Sequence, residues 1–393
     1  MDYNKILSSR AMEIQPSGIR KFFDLLNGRN DVVALTVGQP DFKTPWHIRE
    51  AGIDSLTKGK TYYTANSGMA ELRTEISSYL KRRFELSYNP ENEIIVTVGG
   101  SEAIDIAVRA LVNFGDEVII PTPSFVCYEP IVSLAGGVPV IMETKREDDF
   151  KISPEKLKGL ITPKTKLLIL PFPNNPTGAV LDRKNLEEIA DVLRDTNVCI
   201  LSDEIYAELT YEDRHVSIAS IEGMKERTII ASGFSKAYAM TGWRMGYCVA
   251  PAEITKQMYK IHQYAIMCAP TVSQYASVEA LKNGDDDIEM MKREYNRRRK
   301  YIISGLRRIG IDCFEAKGAF YVFPKIGDFG MSSDVFCERL LEEKGVAIVP
   351  GTAFGKGGEG FARISYAYSV NHIAEALERI ESFVLQTANV GRV

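Results

Sequence analysis

The chain lacks the features that mark membrane, metal-binding and nucleic-acid-binding proteins. No apolar run among its 393 residues approaches the ~20 that a membrane span requires, and charges stand where a signal peptide would have its apolar core. The four histidines are far apart, so we expect no metal site. A net charge of −4 gives no reason to expect nucleic acid or an anionic membrane surface as a partner.

Cysteine is scarce and shows no metal-binding or redox spacing. The six cysteines form no C-x-x-C pair, and Cys199 and Cys248 lie in apolar runs that place them in the core. Reduced cysteines of this kind are typical of a cytoplasmic protein. With 45% apolar and 25% charged residues the composition is that of a globular protein. The length favours one large domain and one smaller domain.

The middle of the chain alternates short apolar runs with helical stretches. The apolar runs are 94–98, 117–121, 138–142, 166–171, 198–203, 228–232 and 245–250, and the helical stretches include 101–114, 125–135 and 184–196. Because buried parallel strands are apolar along their whole length, these runs predict an α/β fold. We expect a mostly parallel sheet of seven strands with helices on both faces.

The pattern changes towards both ends of the chain. Long helical patterns at 253–282 and 285–309 precede β-like pieces at 320–324, 346–350 and 361–367 and a last helix at 371–386. This mixture predicts a smaller α+β domain. Near the N-terminus, Ser17 is expected to cap an amphipathic helix within 17–26. The expected division is an N-terminal segment packing with the small domain (1–40), a large domain (41–285) and the small domain (286–393).

Distinctive residues follow the first two strands of the predicted sheet. In an open α/β sheet, ligands bind beyond the carboxyl ends of the strands. The segment 99-GGSEAI-104 opens a helix, so it is either an anion site built from free N–H groups and the helix dipole or an ordinary glycine-rich turn. Phe125 and Tyr128 follow the next strand, either as rings at the same edge or as core residues.

Later strand ends carry polar and charged side chains. Asn175 precedes Pro176, which holds it away from the helical region and presents its amide, although a surface Asn-Pro turn has the same sequence. Asp203 ends an apolar strand, where an unpaired carboxylate would be costly, so it requires a buried cation or donor unless it caps a helix. Lys236 follows another strand and precedes Arg244 by eight residues. Taken alone, Lys236 has the pattern of an exposed loop lysine.

One cofactor would use all of these groups. Pyridoxal 5'-phosphate presents an aldehyde, a ring nitrogen, a phenolic oxygen and a phosphate. An aspartate can keep the ring nitrogen protonated, and a lysine can bind the aldehyde covalently and move the substrate proton. Asparagine and tyrosine donors can hold the phenolic oxygen, and a Gly-Ser helix start with an arginine can hold the phosphate. The ordered conjunction of these residues therefore predicts a pyridoxal-phosphate enzyme.

The same segments resemble the class I/II, fold-type-I aminotransferases, and especially the bacillary N-acetyl-diaminopimelate and aromatic types. The resemblance rests on N-P-T-G at 175–178, S-D-E-I-Y at 202–206, G-F-S-K-A-Y-A-M-T-G-W-R at 233–244, R-I-S at 363–365, V-G-Q-P-D-F at 37–42 and Y-T-x-x-x-G-x-x-E-L-R at 63–73. It extends from about residue 10 to the C-terminus. It implies ping-pong transamination between an L-amino acid and a 2-oxo acid, which we expect to be 2-oxoglutarate.

The resemblance implies a role for each residue around the cofactor ring. Lys236 is expected to bind the cofactor covalently, and Asp203 to lie at the ring nitrogen. Asn175 and Tyr206 are expected to hold the phenolic oxygen. Phe125 is expected to stack on the ring, at a position where many relatives carry Trp or Tyr.

The resemblance also implies how the phosphate and the substrate are bound. The phosphate ligands are expected to be the side chains of Arg244 and Ser235 and the backbone of Gly100, Ser101 and Glu102. Gly233 stands where the aspartate-specific branch has a phosphate-binding serine, so Ser232 remains an alternative to Ser235. Gly38 and Arg363 resemble the clamp for the substrate α-carboxylate. Tyr63 is expected to reach the phosphate of the neighbouring subunit, which implies a homodimer with shared active sites.

Two other functions and the choice of substrate stay open. A β-C–S lyase acting on cystathionine-like substrates would use the same lysine and aspartate. A regulator built on an aminotransferase-like domain would need a DNA-binding module, for which the first forty residues are too few. A donor with a distal carboxylate would favour a second arginine, for which Arg20 and Arg73 are candidates. The segment 14–20 lies where relatives fold an N-terminal piece over the substrate, so it is a candidate lid.

Overall fold

The computed structural model describes residues 1–16, 18 and 31–390. Its α-helices are α1 (Ser9–Glu13), α2 (Trp46–Thr57), α3 (Ala70–Phe84), α4 (Gly99–Leu111), α5 (Tyr128–Ala135), α6 (Pro154–Leu160), α7 (Arg183–Leu193), α8 (Ala252–Ala265), α9 (Thr271–Asn283), α10 (Asp285–Arg308), α11 (Ser333–Lys344) and α12 (Val370–Val390). Its strands are β1 (Val33–Ala34), β2 (Ile94–Thr97), β3 (Glu117–Thr122), β4 (Val138–Glu143), β5 (Thr165–Leu170), β6 (Cys199–Asp203), β7 (Thr228–Gly233), β8 (Gly246–Val249), β9 (Tyr321–Val322), β10 (Val346–Ala347), β11 (Val349–Pro350) and β12 (Ala362–Ser365). Of the predicted helix within 17–26 only Gly18 is among the described residues, and Ser17, Ile19 and Arg20 of the candidate lid lie outside them.

A seven-stranded sheet forms the centre of the fold. Its order is β2-β8-β7-β6-β5-β3-β4, and β8 runs antiparallel to both of its neighbours. The pairs from β7 through to β4 are parallel. All seven strands coincide with apolar runs read from the sequence, and the predicted α/β fold is confirmed.

Both faces of this sheet are buried, because successive residues of a strand point to opposite sides. Ile119 of β3 packs in a cluster with Leu186 of α7, whereas Ile120 packs in another cluster with Ala107 of α4. Burying an isoleucine side chain of this kind contributes roughly 1.5–3 kcal/mol. Helices therefore cover the sheet on both faces, and the carboxyl ends of its strands remain as the edge where a site can form.

The C-terminal part has its own small sheets and core. β1 pairs with β10 in parallel, and β11, β12 and β9 form an antiparallel sheet. Buried residues of α10, α11 and α12, such as Ile303, Phe336 and Phe383, pack in one cluster with them. At the N-terminus, α1 contacts α5, and the Arg10 guanidinium lies 5.2 Å from the Phe114 ring centroid. The three-part domain division stays a prediction.

The helices differ from the sequence-based expectations in two places. One continuous helix over 253–282 was expected and is wrong, because α8 ends at Ala265 and α9 begins at Thr271. Between them Met267 has a φ of 72°, and Pro270 cannot donate the hydrogen bond that a continuous helix needs. The helix α6 was not expected from the sequence. No helix in the described part of the chain has the length and apolar character to cross a bilayer.

Candidate active site

A cavity of about 280 Å³ lies at the carboxyl ends of the central strands. All of the predicted site residues except Glu102 and Tyr63 line it: Gly38, Gly100, Ser101, Phe125, Asn175, Asp203, Tyr206, Ser235, Lys236, Arg244 and Arg363. Strand ends that are far apart in sequence meet there, as expected for an open α/β sheet. The groups singled out from the sequence are therefore brought together in one place.

Lys236 is a cavity residue rather than an exposed loop lysine. Its Nζ donates a hydrogen bond to the Gly38 carbonyl oxygen at 2.7 Å. Burial and the positive charges of Arg363 and Arg244 lower the pKa of Lys236 to about 8, against an opposing effect of Asp203. An amine with such a pKa is partly neutral near pH 7, so its lone pair is available to react with an aldehyde.

Asp203 ends β6 and is buried, and its carboxylate accepts two hydrogen bonds from the described part of the chain. Its Oδ2 accepts from the Tyr128 hydroxyl at 2.7 Å, and its Oδ1 accepts from the Ile205 backbone N–H at 3.2 Å. Burial raises the pKa of Asp203, and both hydrogen bonds oppose that rise. The expected buried donor is thus Tyr128, which the sequence placed near this edge without identifying its partner.

Arg363 is a buried cation held by backbone and side-chain oxygens. It stands on β12 and is 2% exposed. Its Nη1 donates to Asn175 Oδ1 at 3.0 Å, and its Nη2 donates to the Thr36 carbonyl oxygen at 2.6 Å. Its Nε has no hydrogen-bond partner among the described residues. Burial lowers the pKa of Arg363, but a guanidinium stays protonated, so this side of the cavity is suited to a carboxylate.

Tyr321 is a cavity residue that the sequence did not reveal. Its hydroxyl lies 2.8 Å from the Tyr206 hydroxyl, and its ring lies 4.6 Å from the Arg363 guanidinium carbon. A Cβ at Gly38 would clash with the Tyr321 hydroxyl, so the glycine leaves room for this tyrosine. The sequence of 320–324 predicted only a strand, because a tyrosine such as Tyr321 within an apolar run has the pattern of a core residue.

The start of α4 forms a candidate anion site next to Arg244. Gly99 has a φ of 75°, and a Cβ there would lie 2.5 Å from Arg244 Nη2. A Cβ at Gly246 would lie 2.5 Å from the Gly99 carbonyl carbon. Two glycines therefore let β8 and the first turn of α4 approach closely. Gly100 and Ser101 line the cavity there, and the first N–H groups of a helix attract anions.

The two candidate phosphate serines differ in position. Ser235 lines the cavity, whereas the Ser232 hydroxyl donates to the Glu204 carbonyl oxygen at 3.3 Å. Arg244 adopts a φ of 52°, and its Nη1 donates to the Thr241 carbonyl oxygen at 3.1 Å. The Arg244 guanidinium, the Ser235 hydroxyl and the first residues of α4 thus all line the same cavity.

Three expected or candidate residues lie outside the cavity lining. The Glu102 carboxylate contacts His262, with Oε1 2.6 Å from Nδ1. Tyr63 is 78% exposed. Arg73 donates from Nε to the Gly68 carbonyl oxygen at 3.3 Å and lies on α3, so within the described chain it is not a pocket arginine.

The residues present fit pyridoxal phosphate. A buried carboxylate, an amine with a lowered pKa and a candidate anion site line one cavity. These are the groups required by the ring nitrogen, the aldehyde and the phosphate of that cofactor. The glycines at 99 and 246 keep the anion site open, where a Cβ would meet backbone or guanidinium atoms.

The fold and the cavity define a pyridoxal-phosphate enzyme of fold type I. The family "Aminotransferase class I and II" matches residues 30–380, and the chain belongs to this family, whose members are pyridoxal-phosphate-dependent enzymes. It is 52% identical over 381 residues to "Putative aminotransferase YugH" of Bacillus subtilis, which covers 97% of this chain and 99% of the relative. It is 45% identical over 381 residues to "Probable N-acetyl-LL-diaminopimelate aminotransferase" of Bacillus subtilis, with 97% of this chain and 96% of the relative covered.

A solved structure shows the same similarity in three dimensions. The aromatic aminotransferase from Pyrococcus horikoshii OT3 is similar with a TM-score of 0.89 and 45% identity. The match covers 94% of this chain and 99% of that chain. The predicted family, fold, enzyme class and cofactor are confirmed, and the protein is an aminotransferase.

Proposed function

We propose that the protein moves an amino group from an L-amino acid to 2-oxoglutarate by ping-pong transamination, as a cytoplasmic homodimer. The main support is that the Lys236 amine, the Asp203 carboxylate and the Arg363 guanidinium line one cavity. In addition, the pKa of Lys236 is lowered to about 8. Transamination needs a reactive amine, a carboxylate at the cofactor ring and a cation for the substrate carboxylate.

Lys236 and Asp203 have the central roles in this proposal. When bound, pyridoxal phosphate supplies an electron sink for the negative charge that develops at the substrate α-carbon. Lys236 holds the aldehyde end, and its freed Nζ accepts the α-proton of the substrate. Proton transfer by a positioned group contributes about 10²–10⁴-fold to a rate. Asp203, hydrogen-bonded by Tyr128, keeps a proton at the ring nitrogen.

Other cavity residues bind and orient the substrate and the cofactor. Arg363 holds the substrate α-carboxylate, aided by the backbone of Gly38. Asn175 accepts from Arg363 through Oδ1, which orients its Nδ2 as the donor to the phenolic oxygen. The Tyr206 hydroxyl, paired with Tyr321, lies in the same cavity as the second donor.

One end of the cavity is assigned to the cofactor phosphate. The proposed ligands are the Arg244 guanidinium, the Ser235 hydroxyl and the backbone N–H groups of Gly100, Ser101 and Glu102. Each contact of an N–H or guanidinium with a phosphate is charge-assisted and hence stronger than a neutral hydrogen bond.

The segment around Tyr63 supports the homodimer. Tyr63 is exposed and does not line the cavity of its own chain. The Asn66 side chain fixes this segment to the Met267 carbonyl oxygen at 2.7 Å, and Tyr264, three residues before Met267, is 86% exposed. A second copy would cover these side chains and receive Tyr63 at its phosphate site. The six free cysteines support a reducing, cytoplasmic location.

Lys236→Ala tests the proposal directly. The purified wild type is expected to absorb in the near-visible region as a lysine Schiff base, and the variant is expected to lose both this absorbance and at least about 10²-fold in turnover. Lys282→Ala is the control, because Lys282 pairs with Glu71 on the surface. A Lys236→Ala protein that transaminates at the wild-type rate would refute the assignment.

An amino-donor screen tests the substrate. N-acetyl-diaminopimelate, aspartate and aromatic amino acids are offered with 2-oxoglutarate, and glutamate formation is measured. We expect glutamate to form with at least one of these donors. Release of ammonia and pyruvate from cystathionine without any 2-oxo acid would instead identify a β-C–S lyase.

A further inference from the structure

His262 is completely buried next to the proposed phosphate site but lies outside the cavity. It stands in the last turn of α8 and is 0% exposed. Its Nδ1 lies 2.6 Å from Glu102 Oε1, and its Nε2 lies 2.8 Å from the Asn66 carbonyl oxygen. One imidazole thus connects the first turn of α4 to the segment before α3.

The partners of His262 determine where its protons are. A backbone carbonyl only accepts, so Nε2 carries a hydrogen. The second carboxylate oxygen of Glu102, Oε2, accepts from the Val98 backbone N–H at 2.5 Å. A neutral imidazole has only one N–H to donate, so the ring donates to both oxygens only when it is protonated on both nitrogens and Glu102 is ionised. With a protonated Glu102, the carboxyl group would instead donate to Nδ1 of a neutral ring. The first arrangement is a buried imidazolium beside a carboxylate.

The Glu102 carboxylate and the proposed phosphate are two negative charges near the start of α4, and the His262 contact bears on their repulsion. Glu102 stands in the first turn of that helix, where Gly100 and Ser101 face the cavity. A helix N-terminus stabilises one negative charge, but a buried carboxylate repels a phosphate dianion in the same turn. In the imidazolium–carboxylate arrangement, the positive His262 ring offsets the charge of Glu102 and leaves the helix N-terminus to the phosphate.

We propose that His262 is a positioning residue for the cofactor phosphate: a buried imidazolium that neutralises Glu102 and fixes the first turn of α4. This inference rests on the proposed function, which assigns the phosphate to that turn. The ring also holds the backbone at Asn66, three residues after Tyr63. The phosphate site of one subunit and the tyrosine offered to the other are therefore held by the same side chain.

Cofactor affinity in charge-matched variants tests this inference on the full-length protein. His262→Asn leaves the Glu102 carboxylate uncompensated, so the Kd for pyridoxal phosphate is expected to rise about 10- to 100-fold. Glu102→Gln is expected to raise the Kd less, because glutamine can accept from Val98 and donate to a neutral His262. Adding Glu102→Gln to His262→Asn is expected to recover part of the lost affinity. His47→Asn, which removes another histidine between carboxylates, is expected to leave the Kd unchanged.

Nitrogen NMR gives a readout that does not depend on activity. In the ¹⁵N-histidine-labelled holoenzyme, the His262 signals are expected to show both ring nitrogens protonated, and in Glu102→Gln one of them is expected to lose its proton. If His262→Asn does not fold, this comparison still decides. The inference is overturned by a singly protonated His262 in the wild type, by unchanged affinity in His262→Asn, or by a double variant as impaired as the single one. Failure of the proposed function would appear separately, as missing transamination in the wild type.

Discussion

Tyr128→Phe is expected to slow transamination by weakening the ionised form of Asp203. The Tyr128 hydroxyl donates to Asp203 Oδ2 at 2.7 Å, and both residues are buried. The hydrogen bond that this carboxylate accepts from the Ile205 backbone N–H is longer, at 3.2 Å. A hydrogen bond to a charged buried group contributes about 1.5–3 kcal/mol, so its loss corresponds to about a 10- to 150-fold lower rate.

The sign of the pH effect follows from the same contact. Burial raises the pKa of Asp203 and the Tyr128 hydroxyl opposes that rise, so removing the hydroxyl raises the pKa of Asp203 further. In its proposed role, Asp203 must be ionised to hold a proton at the ring nitrogen. The acid limb of the kcat/KM profile is therefore expected to move to higher pH in the variant, and the loss of rate to be largest at acidic pH.

The assay is single-turnover conversion of the bound cofactor by an amino donor, followed by absorbance over a range of pH. Tyr79→Phe is the matched control, because the Tyr79 hydroxyl also donates to a buried carboxylate, Glu208 Oε1, at 2.6 Å but does not line the cavity. An unchanged rate and acid limb in Tyr128→Phe would refute the reasoning. An equal loss in Tyr79→Phe would show that the effect is one of stability.

Three further changes test other parts of the structure. Arg363→Lys loses the forked guanidinium, so KM for every amino donor is expected to rise about 10- to 100-fold, and an effect on one donor alone would place Arg363 at the substrate side chain. Gly246→Ala brings a Cβ to 2.5 Å from backbone atoms of the neighbouring turn, so equilibrium dialysis is expected to show weaker cofactor binding; unchanged binding would contradict the close approach. At His47, burial lowers the pKa, but hydrogen bonds to Asp287 and Glu279 outweigh burial and raise it above the ordinary value of 6.5. The stabilising effect of protonated His47 is present below pH 6.5 and is lost as pH rises through the raised pKa. His47→Asn is therefore expected to lower the free energy of unfolding more at about pH 5 than at about pH 9 in denaturant titrations. An equal loss at the two pH values would contradict this.

The central sheet could be predicted because its signal is local. Strands buried on both faces are apolar at every position, and the run at 228–232 corresponds to β7 (Thr228–Gly233). The residues that follow such runs, including Asp203 and Lys236, meet at one edge once the sheet is parallel. The break between α8 and α9 was also visible in the sequence as Pro270, which a single helical pattern should not contain.

The missed contacts join residues that no local pattern relates. Tyr128 and Asp203 are 75 positions apart, and Tyr206 and Tyr321 are 115 apart. A buried tyrosine in the core and a buried tyrosine that holds a carboxylate have the same sequence environment. Only the packing of the sheet and of the C-terminal part determines whether a given tyrosine is a core residue or makes a hydrogen bond in the site.

The antiparallel strand β8 has a consequence for the geometry of the cofactor. Because β8 reverses direction, the chain leaves β7 and enters β8 at the same edge, with Gly233 paired to Gly246. A parallel strand would have to begin at the other end of the sheet, so the chain would first need a crossover connection back to that end. Lys236 and Arg244, proposed for the two ends of the cofactor, therefore share one loop closed by that glycine pair. The span between covalent anchor and phosphate ligand is set by loop length, so inserting residues between them would alter the span while leaving both side chains intact.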